Sequence, residues 1–451
     1  MINTNLSIIQ YPNAGKVVSS ISMKPLEILP LVHALDASVC VPGSKSLTNR
    51  VLLVGALADG STRITNALFS DDSHYLVHAL QTLGFEVVCD PVHAEMTITG
   101  LGGRIPARKA ELFIGNAGTA ARFLSAFLTL GQGDYILDGD ERMRERPMGD
   151  LVAALTQLGG HLDSLNSTAT SRISLPLRIP AGGLPGGHAD VPGDISSQFI
   201  SALLMVAPYA QNRVEISLTG RLNSKPYVDM TLSVMADFGV LVQLGSRQSF
   251  MISPAHYASP ITYPIESDAS AASYFFAAPA ISGGKVRVQN ISRHSKQGDI
   301  DFLDVLEKMG CTITAGEDFI EVTGTDCLQG IDMEMCNIPD TAQTLAAIAP
   351  FASTPTRIRG VASARVKESD RVNATCTELS RLGVQVEEHP DGMTIYPCKK
   401  FRPAIIQTYN DHRMAMAFAL FGLRVPGISI ENPACVSKTF PNFFEVLGSL
   451  R

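Results

Sequence analysis

A chain of 451 residues exceeds what one hydrophobic core normally supports, so two domains are expected. Hydrophobic residues make up 45% and charged residues 18%, the balance of a packed globular protein and not of a disordered one. The formal net charge of −7 excludes bulk attraction to nucleic acid or an anionic membrane, so any bound anion must be held by a local cluster.

The first twenty residues lack a basic start followed by an apolar core, and no secretory signal is read there. No apolar run reaches the roughly 18 residues of a membrane span, and a cytoplasmic location is expected. The eight cysteines (Cys40, Cys89, Cys311, Cys327, Cys336, Cys376, Cys398 and Cys435) are scattered, without the short spacings of zinc or redox motifs. They read as thiols in a reducing compartment.

The predicted elements repeat. Six segments each open on a short polar turn and run into a helix-like apolar stretch. They are PGSKSLTNRVLLVGAL, IGNAGTAARFLSAFL, PGDISSQFISALLM, ESDASAASYFFAAPA, IPDTAQTLAAIAPFA and YNDHRMAMAFALFGL. Aligning Ser44, Asn116, Asp194, Asp268, Asp340 and Asp411 gives steps of 72, 78, 74, 72 and 71 residues, the signature of a repeated structural unit.

A second helical stretch in each unit closes on an apolar residue and a glycine: Leu83-Gly84, Leu158-Gly159, Phe238-Gly239, Met309-Gly310, Leu382-Gly383 and Leu447-Gly448. Glycine there is the expected helix stop. Alternating runs such as FEVVCD then MTITG, CTITAG then FIEVTG, and VQVEEH then MTIYP read as half-buried strands. The unit is strand–helix–strand–helix–strand–strand. Six units divide into two domains of three, with the break expected in MISPAHYASPITYPIES, between the third and fourth.

Helix N-termini attract anions through their unpaired N–H groups. Here the starts also carry cations at helical spacing. Ser46 and Arg50 share a face, as do Gly118 and Arg122, and Lys367 and Arg371. Arg413 follows Asp411 and His412, while Arg146 and Lys438 lie in RERPMGD and VSKTF. One such arginine is ordinarily a solvated charge. A set at matching points of a repeat predicts a cleft for phosphates or carboxylates, which arginine meets with a planar two-pronged fork.

The same residues carry a resemblance. VPGSKSLTNR, IGNAGTAAR, ERPMGDLV, DISSQF, NSKPYVDMT, NIPDTAQT, RVKESDR, YNDHRMAM and KTFPNFFE resemble, in order, the motif series of the 5-enolpyruvylshikimate-3-phosphate synthase family, from about Val41 to Glu445. The resemblance implies an α/β fold, a two-domain inside-out α/β barrel of six βαβαββ repeats. Residues 44–265 would form one domain, and residues 1–43 with 266–451 the other, with substrates in the cleft between. It implies transfer of the enolpyruvyl group of phosphoenolpyruvate to the 5-hydroxyl of shikimate 3-phosphate by a monomer, with no metal or organic cofactor.

By the same resemblance, Lys45, Ser46, Arg50, Ser196, Ser197, Gln198, Ser224, Tyr227, Asp340 and Lys367 would hold shikimate 3-phosphate. Lys45, Gly118, Arg146, Gln198, Arg371, Arg413 and Lys438 would hold phosphoenolpyruvate. The chemistry needs a base near the 5-hydroxyl and an acid near C3 of phosphoenolpyruvate. Asp340 is assigned as base, and Glu368 and Lys45 as proton donors or shuttles. Taken alone, Asp340 reads equally as a helix cap and Glu368 as a first-turn acid. Likewise, capping alone would explain Ser196 or Ser197, and packing Tyr227.

The sequence departs from the family pattern at Phe123, where many members have proline, and at Ser363, where asparagine is frequent. The stretch before Met23 is longer than usual. A sister family that acts on UDP-N-acetylglucosamine is the alternative. It carries asparagine after the first-motif lysine and a loop cysteine, whereas here Lys45 precedes Ser46 and no cysteine lies between Cys89 and Cys311. An RNA 3′-phosphate cyclase-like protein would need a basic stripe that this acidic chain lacks. A non-catalytic phosphate binder would need the cations without Asp340 and Glu368.

Overall fold

The structure, a computed structural model, describes residues 24–166, 173–245 and 248–451; the long N-terminal stretch lies outside them. The alternating runs form antiparallel pairs. FEVVCD and MTITG give strands Glu86–Asp90 and Glu95–Leu101, and Met96 and Ile98 turn into the core while their neighbours face outward. CTITAG and FIEVTG give Thr312–Ala315 and Phe319–Thr323, and VQVEEH and MTIYP give Val386–His389 and Gly392–Ile395.

Each unit folds into its own small sheet. In the second unit, Lys109–Phe113 lies parallel to Gln132–Asp138, which pairs antiparallel with Leu177–Gly182, which in turn pairs with Asp163–Ser164. A parallel pair needs a crossover, and here it is the helix Gly118–Leu128. The third and fifth units repeat this order within themselves. The other three borrow strands. Asp59–Thr65 takes its parallel partner from Thr262–Pro264, and Gly284–Gln289 takes Leu35–Val39. Ile428–Ile430 pairs parallel with Ala404–Ile406 and antiparallel with Leu26–Ile28. The N-terminal segment thus supplies two strands to the later units.

Past its cleft-facing first turn, the first helix of each unit is mostly apolar and is buried on nearly every side. Every residue of Gly118–Leu128 and of His412–Gly422 is buried. Lys45–Leu57, Gly118–Leu128 and Ser197–Val206 sit in a core that runs from Leu47 to Ile265. Ala269–Ser282, Ala342–Ile348 and His412–Gly422 sit in a second core, which gathers Ile28 to Val41 and Ala269 to Leu450. Full burial of a side chain such as Phe127 contributes about 1.5–3 kcal/mol. The two cores define two lobes.

Five of the six predicted helix stops, Gly84, Gly159, Gly239, Gly310 and Gly383, have φ between +86° and +103°, where a Cβ is penalised. The sixth differs. Gly448 is the last residue of the helix Phe443–Gly448 and does not take a positive φ, and the strand that completes this unit's sheet is Leu26–Ile28. Among the described residues no helix is long and apolar enough to cross a membrane.

Candidate active site

The cleft between the lobes encloses about 960 Å³, its solvent-filled mouth included. Helix starts from both lobes open onto it. Lys45 begins its helix behind the cap Ser44, and its backbone N–H donates to Asp268 Oδ2 of the other lobe (3.0 Å). Gly118 begins the second helix, and Ser197 the third behind Ser196, whose hydroxyl accepts from Gln198 N (3.3 Å). On the facing lobe Asp340 sits in the turn Pro339–Thr341 that leads into Ala342–Ile348. Asp411 caps His412–Gly422 by accepting from Arg413 N (2.9 Å). Arg371 begins Arg371–Arg381 behind the cap Asp370.

Of the sequence-predicted residues, Lys45, Ser46, Arg50, Gly118, Arg146, Ser196, Ser197, Gln198, Ser224, Tyr227, Asp340, Lys367, Glu368, Arg371 and Arg413 all line this cleft. Lys438 stands just behind the wall. Its Nζ donates to Asp72 Oδ1 (2.6 Å) and to the Asn116 carbonyl (2.7 Å) from across the lobes. Seven cations and three carboxylates line the cleft, in a chain whose net charge is negative. Focused positive potential of this kind draws anions.

Asp340 is the hub. Lys367 Nζ donates to its Oδ1 (2.6 Å), as does Arg371 Nη1 (3.1 Å), and Arg413 Nη2 donates to Oδ2 (2.8 Å). Burial alone would raise the Asp340 carboxyl, but Arg413, Lys367, Arg371 and Lys45 outweigh it and hold it well below the usual carboxylate range. Glu368 accepts from Arg371 Nη2 (2.9 Å) and lies 4.0 Å from Arg146 and 3.9 Å from Lys438. Burial pushes its carboxyl up, yet these cations and His412 carry it well below normal. Burial lowers the Lys367 ammonium, and Asp340 offsets only part of that.

Three of these cations also work for the fold. Four of the five N–H donors of Arg50 are taken by Thr231 Oγ1, Ser46 O, Ser201 Oγ and Tyr227 O. Burial brings its guanidinium down to about 10. Arg122 donates to the Gly118 and Pro147 carbonyls, and Arg371 ties Asp411 to its neighbours at 2.8 and 3.2 Å. Ser224 takes a left-handed φ of 54° and donates through both its N–H and its hydroxyl to the Cys336 carbonyl of the facing lobe.

Sequence reasoning missed Asp72, Asn116 and Asp299. Asp72 carried a signal: it shares a helix face with Leu76 and Ala79, so it is buried while its neighbour Asp71 is exposed. Asn116 accepts from Arg146 through both its carbonyl and its side chain (3.3 and 3.0 Å). Asp299 accepts from Tyr227 across the lobes (2.8 Å), and nothing local announces it. Among the described residues no cluster of histidine, cysteine or carboxylate side chains is placed to hold a metal ion.

Residues 31–447 match the family described as EPSP synthase (3-phosphoshikimate 1-carboxyvinyltransferase). The chain belongs to the EPSP synthase family. A 3-phosphoshikimate 1-carboxyvinyltransferase from Nostoc punctiforme is 51% identical over 423 residues, 94% of this chain and 98% of its own. One from Shewanella denitrificans is 49% identical over 95% of this chain and 99% of its own. Among solved structures, EPSP synthase from Acinetobacter baumannii superposes with a TM-score of 0.79 at 26% identity, covering 95% of this chain and 98% of that one. The enolpyruvyl transferase NikO from Streptomyces tendae shares the fold, with a TM-score of 0.74 at 18% identity. Family membership settles the architecture expected from the repeat, six small α/β units in one two-lobed chain.

Proposed function

We propose that this chain transfers the enolpyruvyl group of phosphoenolpyruvate to the 5-hydroxyl of shikimate 3-phosphate, releasing phosphate through a tetrahedral intermediate. Membership in the EPSP synthase family and the activity its relatives are named for support the reading. The observation that carries it is the cationic cleft with Asp340 and Glu368 set inside it. A mere anion binder has no use for two carboxylates among its cations.

The two cores are read as the domains 44–265 and 1–43 with 266–451. Ser196, Ser197, Gln198, Ser224 and Tyr227 on one side, with Lys367 and Asp340 on the other, suit a sugar-like phosphate. Arg146, Gly118, Arg371, Arg413, Lys438 and Lys45 suit phosphoenolpyruvate, whose phosphate and carboxylate need several cations. In the reaction C3 gains a proton and C2 becomes electrophilic. The 5-hydroxyl oxygen then bonds to C2 as its proton passes to Asp340. The adduct then loses phosphate from C2 and a proton from C3.

The electrostatics of the cleft fit this order. Arg413 and Lys367 hold Asp340 ionised, which leaves it able to accept a proton but a weak base. Substrate anions that draw those cations away raise its proton affinity where it is needed. Glu368, with Lys45 as shuttle, would deliver the C3 proton in the same way once anions neutralise Arg146 and Lys438.

The test is release of inorganic phosphate by the purified chain. Phosphate should appear with both substrates together and with neither alone. Release with UDP-N-acetylglucosamine in place of shikimate 3-phosphate would instead select the sister activity, which the family membership disfavours. No release with either acceptor would leave a binding protein.

A further inference from the structure

One contact across the cleft belongs to none of the groups discussed so far. Arg142 lies on the five-residue helix Glu141–Glu145 of the first lobe, whose cap Asp140 accepts from Met143 N (2.8 Å). Its guanidinium reaches the other lobe and meets two successive backbone carbonyls. Nε donates to Lys367 O (3.2 Å) and Glu368 O (3.0 Å), and Nη2 donates to Lys367 O (2.7 Å). The remaining arm, Nη1, donates to Glu145 Oε2 on its own helix at 2.7 Å.

The two carbonyls belong to the residues whose side chains point the other way, into the cleft. Lys367 reaches Asp340 at 2.6 Å, and Glu368 reaches Arg371 at 2.9 Å. Both follow the 3-10 turn Ala362–Val366, and no helix ladder fixes them before Arg371. Their backbone is therefore held from outside, by a residue of the opposite lobe. The same short helix ends at Arg146, which caps it and lines the cleft. One element thus presents a cation to the cleft and grips the loop that carries two further site residues.

We infer that Arg142 is a positioning residue: by bridging the Lys367 and Glu368 carbonyls across the lobes, it sets the Lys367 ammonium and the Glu368 carboxylate relative to Asp340 and Arg146. The fork matters. A guanidinium offers several N–H groups in one plane at fixed angles, whereas a lysine ammonium gathers its three N–H groups on one freely rotating atom at the end of a flexible stem. Misplacement of reacting groups by about 1 Å can lower turnover roughly 10²-fold without removing any of them. The inference rests on the transferase reading. Phosphate release by the unaltered chain tests that reading separately, so the two can fail independently.

The experiment compares the full chain with R142A, R142Q and R142K, and adds E368Q and the double variant R142A/E368Q. Each is measured for melting temperature, for kcat, and for KM toward both substrates. R142A and R142Q should lose roughly 10- to 100-fold in kcat, with melting temperatures close to that of the parent, because the contact is one-third exposed and no core residue is touched. R142K should recover only part of the loss, and added guanidinium ion should restore turnover to R142A but not to E368Q. In the double variant the loss from R142A should shrink, since the residue acts through Glu368.

Turnover of R142A within twofold of the parent would overturn the inference. So would losses in R142A and E368Q that multiply in full, or a fall in kcat that tracks melting temperature across the three Arg142 variants. If R142A does not fold, R142K and R142Q carry the same comparison.

Discussion

At the scale of single residues, the cleft depends on carboxylates outnumbered by cations. Removing one should separate catalysis from binding. Asp340→Ala frees Lys367, Arg371 and Arg413 from their shared counter-ion. Affinity for phosphoenolpyruvate should hold or tighten, while turnover falls by about 10² or more through loss of the base. Calorimetric binding beside steady-state rates checks both, and near-normal turnover would remove Asp340 from the proton path. Gly118→Ala tests the other side. A Cβ on Gly118 would lie 2.6 Å from Nη1 of Arg146, inside any permitted contact, so the guanidinium must move. Loss of one charge-assisted contact costs about 1.5–3 kcal/mol, so the KM for phosphoenolpyruvate should rise at least tenfold. The KM for shikimate 3-phosphate should stay nearly level. Equal rises in both would place Arg146 outside the phosphoenolpyruvate subsite.

At the scale of elements, the decisive feature is the start of each core helix. Asp268 shows how one start serves two lobes. Its Oδ1 accepts from Ala271 N (2.9 Å) to cap Ala269–Ser282, and its Oδ2 accepts from Lys45 N at the head of the other lobe's first helix (3.0 Å). A helix cap is worth about 0.5–2 kcal/mol. Asp268→Ala removes two such bonds and should lower stability by roughly 1–4 kcal/mol, read as a drop in melting temperature. Asp268→Asn keeps one of the two acceptor oxygens and turns an N–H donor toward the other partner, so it should recover no more than about half of it. These starts were legible in the sequence because the repeat spacing aligned them, and the glycine stops marked the helix ends. At Gly448 the helix ends as expected but without the left-handed turn of the other five, and the strand that completes that sheet comes from Leu26–Ile28. Asp299 and Arg142 were illegible. Their partners lie 72 and more than 200 positions away, and no local pattern encodes a contact across a cleft.

At the scale of the whole molecule, the lobes meet through polar bonds, and one of them stores a cost. Asp299 is buried in the second lobe, where its Oδ2 accepts from Tyr227 of the first lobe (2.8 Å) and from Ser270 of its own. Its Oδ1 is buried with no hydrogen-bond partner. Burial, and then the charge of Asp340, push this carboxyl up to about 6, with Arg413 pulling the other way. Between about pH 4 and pH 6 the folded chain therefore holds a proton that the unfolded chain releases. Stability from this group is full below pH 4 and falls as pH rises to 6. Asp299→Asn keeps an oxygen for Tyr227 and Ser270 and removes the charge. At pH 7.5 the variant should melt a few degrees above the parent, and the gap should close below about pH 4. A gap that is constant across that range, or absent at pH 7.5, would mean the carboxylate is stabilised across the lobes as well as it is in water.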